Sequence, residues 1–240
     1  MKHPVMRVVA ALMVCLFVVP SFGADEPNQP PMNPEVQKLM DRLAADIDKL
    51  AVALPENATD AEKSKLTEEF AMLKTFTKGV LLPLCVNKVF VQEVAAQNAK
   101  GVSLADIQAI DKQWMEAEDE LPIQAEKMNN ACALEIKKIA KTLPILGETF
   151  VMDNQGANVG QNALTSDYWQ GDEAKWKESY KDGKGGVDFG KRQLDKSTNV
   201  VDQKISLPVI DEQGKVIGAV CFGVKVELLA QTPMASNAGK

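Results

Sequence analysis

The feature that most constrains the fold of this chain is a change of hydrophobic period near Pro144. Before it, apolar residues recur at helical spacing, as they do between Val36 and Leu54. After it, apolar and β-branched residues form short runs separated by turn-forming residues, as in 148–160 and 207–218. Helices followed by strands are typical of an α+β domain in which the helices cover one face of a sheet.

Five helices are expected in the helical segment, residues 34–142, because capping residues and breaks divide its apolar pattern. The capping box formed by Thr59 and Glu62 is the clearest of these signals. The predicted helices begin near Asn33, Thr59, Leu84, Ser103 and Ile123.

The second segment, residues 143–230, is predicted to form a five-stranded antiparallel sheet. Two strand pairs are joined by short turns that begin with Asp153 and Asp211 and place Gly156 and Gly214 three residues later. Asp initiates turns with its side chain, and Gly tolerates the positive φ that such turns require. A fifth strand is expected at 187–189, after a glycine-rich loop. The two segments together form one unit.

The N-terminus has the pattern of a secretory signal peptide. Lys2 and Arg7 precede an uncharged run at 8–19, and small residues follow, so cleavage is expected after Gly23. The sequence therefore predicts a signal peptide over 1–23 and a periplasmic product with no membrane span after cleavage; an uncleaved anchor is the alternative. A polar linker at 24–33 and a tail at 231–240 complete the predicted boundaries.

Composition excludes several kinds of chemistry. The only histidine, His3, lies in the predicted signal peptide, so histidine-based catalysis and histidine-ligated metal sites are not expected. The acidic group of Asp167, Asp172 and Glu173 could hold Ca²⁺ through oxygen ligands, but the stretch 153–156 lacks the calcium-loop pattern and is interpreted as a turn, and neither a metal nor a cofactor is predicted. The formal net charge is -6 and no basic patch occurs, which disfavours nucleic-acid binding. We expect no enzymatic activity.

Three of the four cysteines lie outside the predicted signal peptide. Cys221 lies in an apolar run and is expected in the core. Cys85 and Cys132 both fall in the helical segment, and we expect them to form a disulfide, since disulfides persist in an oxidising compartment. Two buried free thiols are the alternative.

Three stretches of this sequence resemble the Cache family, the PAS-like extracytoplasmic sensor domains of bacterial receptors. They are ETFVMDNQGANV, TSDYWQGDEAKW and KISLPVIDEQGKVIGAVCFGV, and the resemblance covers about residues 60–230. It implies a PAS-like sheet with a pocket for a small ligand and a sensing function. Because the sequence carries no kinase, cyclase or chemotaxis segment, the signal is expected to pass through a partner, either a membrane receptor or a second copy of the chain.

The resemblance also implies where a ligand would bind. The last strand has Gly223 near the position where amine-binding members of the family carry an Asp, which favours a carboxylate-bearing ligand instead. The alternative is that the aromatic residues are core and the charged residues are solvated. The candidate ligand-binding residues are Tyr168, Trp169, Asp172, Lys175, Trp176, Arg192 and Lys204.

A second function is also compatible with the sequence. The amphipathic helix expected over 36–54 could dock onto a partner or another copy, leaving the pocket idle. The chain would then be a periplasmic interaction or structural protein.

Overall fold

The computed structural model of the protein describes residues 32–195 and 200–231. The predicted signal peptide, most of the linker and nearly all of the tail lie outside the described residues. The α+β class with a five-stranded antiparallel sheet is confirmed. The helices are α1 (Pro34–Lys49), α2 (Asp60–Phe76), α3 (Lys88–Asn98), α4 (Leu104–Glu116), α5 (Pro122–Asn129), α6 (Ala131–Thr142), α7 (Ala174–Tyr180) and α8 (Val226–Gln231), and the strands are β1 (Leu146–Met152), β2 (Asn158–Gln161), β3 (Asp188–Asp195), β4 (Val200–Ile210) and β5 (Val216–Lys225).

The first helices begin where their caps predict. The Asn33 side chain accepts from the Glu35 amide, and Thr59 and Glu62 form the predicted capping box, with the Thr59 amide donating to Glu62 over 2.7 Å. The expected start near Leu84 is different, because a π-helical turn and a 3-10 turn that contains Pro83 follow α2. Helix α3 begins only after Asn87, which caps it.

The helix expected over 123–141 is two helices. Asn130 ends α5 and caps α6, because its side-chain oxygen accepts from the Ala133 amide at 2.9 Å. The Asn130 side-chain NH₂ also donates to the Val159 carbonyl of β2 at 2.7 Å. A short polar side chain that serves both a cap and the neighbouring strand breaks the helix at this point.

The sheet has the strand order β2-β1-β5-β4-β3, and the predicted hairpins are β1–β2 and β4–β5. In the two turns, Asp153 and Asp211 accept amide hydrogen bonds with their side chains, and Gly156 and Gly214 have φ of 86° and 83°. The turn chemistry expected from the sequence is therefore present in both hairpins.

The main core lies between helices α1, α2, α3 and α6 and one face of the sheet. Helix α1 packs into this core with its own apolar face, since Val36, Leu43 and Ile47 are all buried. Sheet residues on the same side, such as Val151, Val220 and Phe222, are fully buried against the helices. Helix α1, which the sequence analysis considered as a docking helix, therefore packs against its own domain.

No single helix in the described part of the chain is long and apolar enough to cross a membrane. One bent pair, Asp60–Val86 and Lys88–Asn98, meets those criteria of length and composition with an angle of 51° between its members.

The predicted Cys85–Cys132 disulfide is not confirmed, because Cys85, Cys132 and Cys221 are all buried free thiols in the described structure. Cys85 lies in the 3-10 turn before α3, whereas Cys132 lies in the first turn of α6 and faces β2 at Gly160. The break at Asn130 directs Cys132 towards the sheet, so burial in the core accounts for both cysteines.

Candidate functional site

Five side chains form one row across the sheet, on the face turned away from the main core. Their strand partners are in direct register: Gln161 opposite Phe150, Phe150 opposite Cys221, Cys221 opposite Ser206 and Ser206 opposite Asp188. Directly opposed residues of an antiparallel pair point to the same face. At about 4.8 Å between strands, this cross-strand row is roughly 19 Å long.

Helix α7 and the loop after it, residues 174–186, lie over the cross-strand row and are called the cover below. Trp176 and Tyr180 stack with ring centroids 5.0 Å apart and pack against a small apolar cluster that includes Phe150 and Cys221. The Trp176 indole donates to the Asp153 carbonyl at 2.9 Å, which ties α7 to the β1–β2 turn. The cover thereby closes the middle of the row.

Buried polar atoms without partners occur on this face of the sheet. Gln161, Ser206 and Asn158, which lies beside the row on β2, are each 0% exposed. Within the described residues, Gln161 Nε2, Ser206 Oγ and Asn158 Oδ1 have no hydrogen-bond partner of ordinary geometry. The remaining side-chain atoms of Asn158 and Gln161 hydrogen-bond to each other, to Thr165 and to the Asp167 carbonyl. The Ser206 hydroxyl does lie near the Cys221 thiol, a weak partner. Each unpaired buried polar group costs about 1–3 kcal/mol.

Two charged side chains border the row. Asp188 forms no ion pair with any described residue; burial together with Glu178 raises the pKa of its carboxyl, against a smaller opposing effect of Lys175. The Lys175 ammonium lies over the Phe150 ring, 5.5 Å from its centroid, and its charge also acts on Asp188 and Cys221. Lys175 also donates to Gln170 at 2.9 Å and pairs with Glu173 at 3.0 Å. Asp188 therefore offers an acceptor with negative charge, and Lys175 offers a positively charged donor over Phe150.

Lys204 lies beside the row, opposite Gly223 on β5. Its ammonium contacts Glu148 at 2.8 Å and Asp202 at 3.1 Å. Burial is the largest single effect and disfavours the charged ammonium, but the interactions with Glu148, Cys221 and Asp202 together outweigh burial, so the pKa of Lys204 is raised. Lys204 is thus engaged by two carboxylates of its own chain.

The other residues predicted to bind ligand lie elsewhere. Tyr168 and Trp169 pack in a second small core with Trp114, and both of their amides donate to Asp111. Asp172 is exposed on the surface. Of the seven predicted residues, Lys175 and Trp176 cover the row and Lys204 lies next to it.

Arg192 faces the helices, because an irregularity in the β3–β4 register between Phe189 and Arg192 reverses the alternation of side chains. It pairs with Glu69 of α2 at 2.5 Å. An open groove of about 570 Å³ runs past this pair, between the start of α2 and α8. Arg192 therefore belongs to a different surface from the cross-strand row.

The sequence interpretation missed Gln161, Ser206, Asp188 and Asn158. Ser206 carries a recognisable signal, a single small polar residue inside the apolar run of β4. The other three are ordinary polar residues near strand ends, so only the register of the sheet brings them together. No group of three or more His, Cys, Asp or Glu side chains that could hold a metal ion occurs in the described residues.

Comparison with known proteins gives no match to a family model and none to a curated protein. Among solved structures, the chain is similar to the sensor domain of the histidine kinase DctB of V. cholerae, with 13% identity, a TM-score of 0.35 and coverage of 81% of this chain and 56% of that chain. The ligand-binding domain of the Campylobacter jejuni chemoreceptor Tlp3 in complex with 4-methylisoleucine gives 13% identity, a TM-score of 0.36 and coverage of 83% and 63%.

The ligand-binding domain of the Pseudomonas aeruginosa PAO1 amino acid chemoreceptor PctC, in complex with GABA, gives 12% identity, a TM-score of 0.31 and coverage of 60% and 59%. The chain thus spans about three fifths of the length of these three structures. The matched proteins are described as sensor and ligand-binding domains. The function proposed below rests on the geometry of this chain.

Proposed function

We propose that this chain is a non-enzymatic periplasmic sensor module that binds a small molecule and passes the signal to a partner protein. The observation that carries the proposal is the set of unpaired, fully buried polar atoms of Gln161, Ser206 and Asn158 on one sheet face. Since such atoms are costly when unpaired, their retention is explained most simply by a ligand that pairs them.

The charged and unpaired polar groups beside the row suggest the class of ligand. Asp188, with its unpaired carboxylate, and the Ser206 hydroxyl opposite it suit an ammonium group, which donates hydrogen bonds and neutralises the charge. The Lys175 ammonium over Phe150 and the unpaired Gln161 amide suit a carboxylate. We therefore propose a small zwitterion, which keeps the predicted carboxylate and adds an amino group.

Isothermal titration calorimetry with a matched panel tests this proposal. The panel contains L-valine and GABA, which are bound by matched chemoreceptor domains, together with butylamine, which lacks the carboxylate, and butyrate, which lacks the ammonium. We expect a zwitterion to bind at least about tenfold more tightly than either half-ligand, because each lost charge-assisted hydrogen bond costs about 1.5–3 kcal/mol.

Two acidic variants provide the matched comparison. Asp188→Asn should abolish the preference for an ammonium group, whereas Asp172→Asn, which removes an exposed carboxylate close to the cover, should leave affinity unchanged. Binding that survives Asp188→Asn at full affinity, or the absence of binding across a broad panel of amino acids, amines and carboxylates, would contradict the proposal.

Export is a separate part of the proposal. Residues 1–23 support it by their pattern, since a basic start, an apolar run and small residues define a signal peptide. Expression of the full chain with fractionation and N-terminal sequencing should give a periplasmic product that begins at Ala24. A product that retains Met1 and stays in the cytoplasm would refute export without affecting the ligand site.

The alternative function, docking through the N-terminal helix, receives less support. The apolar face of α1 is buried in the domain's own core through Val36, Leu43 and Ile47. A partner that used this face would have to pull α1 out of the core.

A further inference from the structure

Apart from Asp188, which is half-buried, the cross-strand row is closed to small molecules in this structure. Gln161, Cys221 and Ser206 are each 0% exposed, and the stacked rings of Trp176 and Tyr180 lie on the apolar cluster between them. A ligand can reach Cys221 and Ser206 only if the cover moves. If α7 moves away from the sheet, the loop at 181–186 must change conformation, because it connects the end of α7 at Tyr180 to the start of β3 at Asp188.

This loop has an uncommon backbone. Lys181 and Asp182 have φ of 51° and 52°, in the left-handed region that non-glycine residues seldom adopt, and Gly183 and Gly185 have φ of 76° and 71°. Conformations of this kind persist when surrounding contacts hold them. Within the loop, the amides of Gly185 and Gly186 donate to carbonyls at the end of α7.

Arg42 of α1 supplies a contact to this loop from outside it. One guanidinium nitrogen, Nη2, donates to the Lys184 carbonyl at 2.6 Å and to the Gly185 carbonyl at 3.1 Å. The other, Nη1, pairs with Asp46 one turn later on α1 at 3.3 Å, which orients the group. The next residue, Leu43, is fully buried in the core, and this burial fixes the position of α1 beside the loop.

We propose that Arg42 is a positioning residue that holds the cover closed over the cross-strand row, and that release of its two carbonyl contacts opens the row. This inference rests on the proposed function, because it assigns a way into that ligand site. Arg42 itself touches neither the row nor the cover helix, and it acts through the loop.

Cys221 is a natural reporter of cover opening. It lies in the row beneath the cover, whereas Cys85 and Cys132 are buried on the helical side of the sheet. Opening of the cover exposes Cys221 selectively, and global unfolding exposes all three thiols. The test is the rate of alkylation by iodoacetamide of the native full chain, read for each cysteine by peptide mass spectrometry; no ligand is needed, so its outcome is independent of whether a zwitterion binds.

In Arg42→Met, we expect Cys221 to be alkylated about five- to tenfold faster than in the natural protein, because two charge-assisted hydrogen bonds to the loop are lost. The rates at Cys85 and Cys132 should change less than about twofold. Arg42→Lys, whose ammonium can still donate to a carbonyl, should give an intermediate rate at Cys221. If Arg42→Met does not fold, Arg42→Lys against the natural protein supplies the same comparison.

The matched control is Lys38→Met, which removes an exposed positive charge one turn earlier on α1 and should leave all three rates unchanged. An unchanged Cys221 rate in both Arg42 variants would overturn the inference. Equal acceleration at all three cysteines would also overturn it, because Arg42 would then contribute only to global stability.

Discussion

Replacing Ser206 by alanine is expected to stabilise the ligand-free protein while weakening ligand binding. The Ser206 side chain is fully buried and its hydroxyl has no partner of ordinary geometry among the described residues, so it carries a desolvation cost of about 1–3 kcal/mol. Removing one oxygen leaves a void of roughly 15 Å³, which costs about 0.4 kcal/mol. The net expectation is a gain of about 1 kcal/mol in the free energy of unfolding.

For a chain of 240 residues, a gain of this size raises the melting temperature by about 2–4 °C. Urea denaturation and thermal unfolding of the ligand-free protein measure it. The matched control is Ser179→Ala: Ser179 is also fully buried, but its hydroxyl donates to the Lys175 carbonyl at 2.6 Å. Loss of that bond should cost about 1 kcal/mol, so the two substitutions should shift stability in opposite directions.

The two serine variants also separate binding from stability. Ser206→Ala should bind the zwitterion about fivefold or more weakly, because one hydrogen bond to the ammonium group is lost. A Ser206→Ala variant that is less stable than the natural protein by 1 kcal/mol or more would refute the reasoning, since the hydroxyl would then be paired in the ligand-free state.

Three further predictions concern the site charge, the packing and the thiols. Burial raises the pKa of Asp188 above its ordinary value of 3.8, so the folded state binds this proton more tightly than the unfolded state does. The free energy of unfolding should therefore fall as pH rises from the unfolded-state pKa through the raised pKa of the folded state. Asp188→Asn should stabilise the protein at pH 7 and have no effect below about pH 3, as measured by urea denaturation at both pH values. Gly160→Ala would place a Cβ 2.6 Å from the Cys132 Cβ and should lower the free energy of unfolding by about 2–3 kcal/mol. The control Gly79→Ala, whose Cβ meets open space, should change the free energy of unfolding by less than about 1 kcal/mol. A similar cost for both variants would contradict the close contact between β2 and α6. Alkylation of the denatured, unreduced protein should label both Cys85 and Cys132, and protection of this pair until reduction would show a disulfide.

The elements that the sequence predicts best depend on local chemistry. The turns at Asp153 and Asp211 form as expected, because an Asp side chain and a Gly three residues later are sufficient to specify them. The capping box of Thr59 and Glu62 is correct for the same reason. Each of these signals is complete within about four residues.

The site could not be predicted to the same extent, because it depends on long-range register. The row joins residues from five strands whose order in the sheet, β2-β1-β5-β4-β3, is not their order in the chain. Arg192 illustrates the difficulty: uninterrupted alternation would place it on the same face as Asp188, but the irregularity after Phe189 turns it towards Glu69. Neither the composition nor the motifs of the sequence reveal a shift of one residue in the register of a strand.

The disulfide prediction is not confirmed, for a related reason. Cys85 and Cys132 were paired because both fall in the helical segment, yet the helix phase at each depends on breaks at Pro83 and Asn130. These breaks leave Cys132 against Gly160 of β2, where a small residue makes room for it. Burial explains the two thiols without a bond between them.

Because side chains alternate along the strands, the two faces of the sheet pack against different parts of the chain. Val151 and Phe222 face the helices, while their immediate neighbours Phe150 and Cys221 face the cover. Exchanging the residues of the row therefore leaves the packing against α1, α2, α3 and α6 untouched. If the proposed ligand site is correct, a few substitutions on the face beneath the cover would change its ligand preference. The packing on the opposite face, which stabilises the fold, would stay the same.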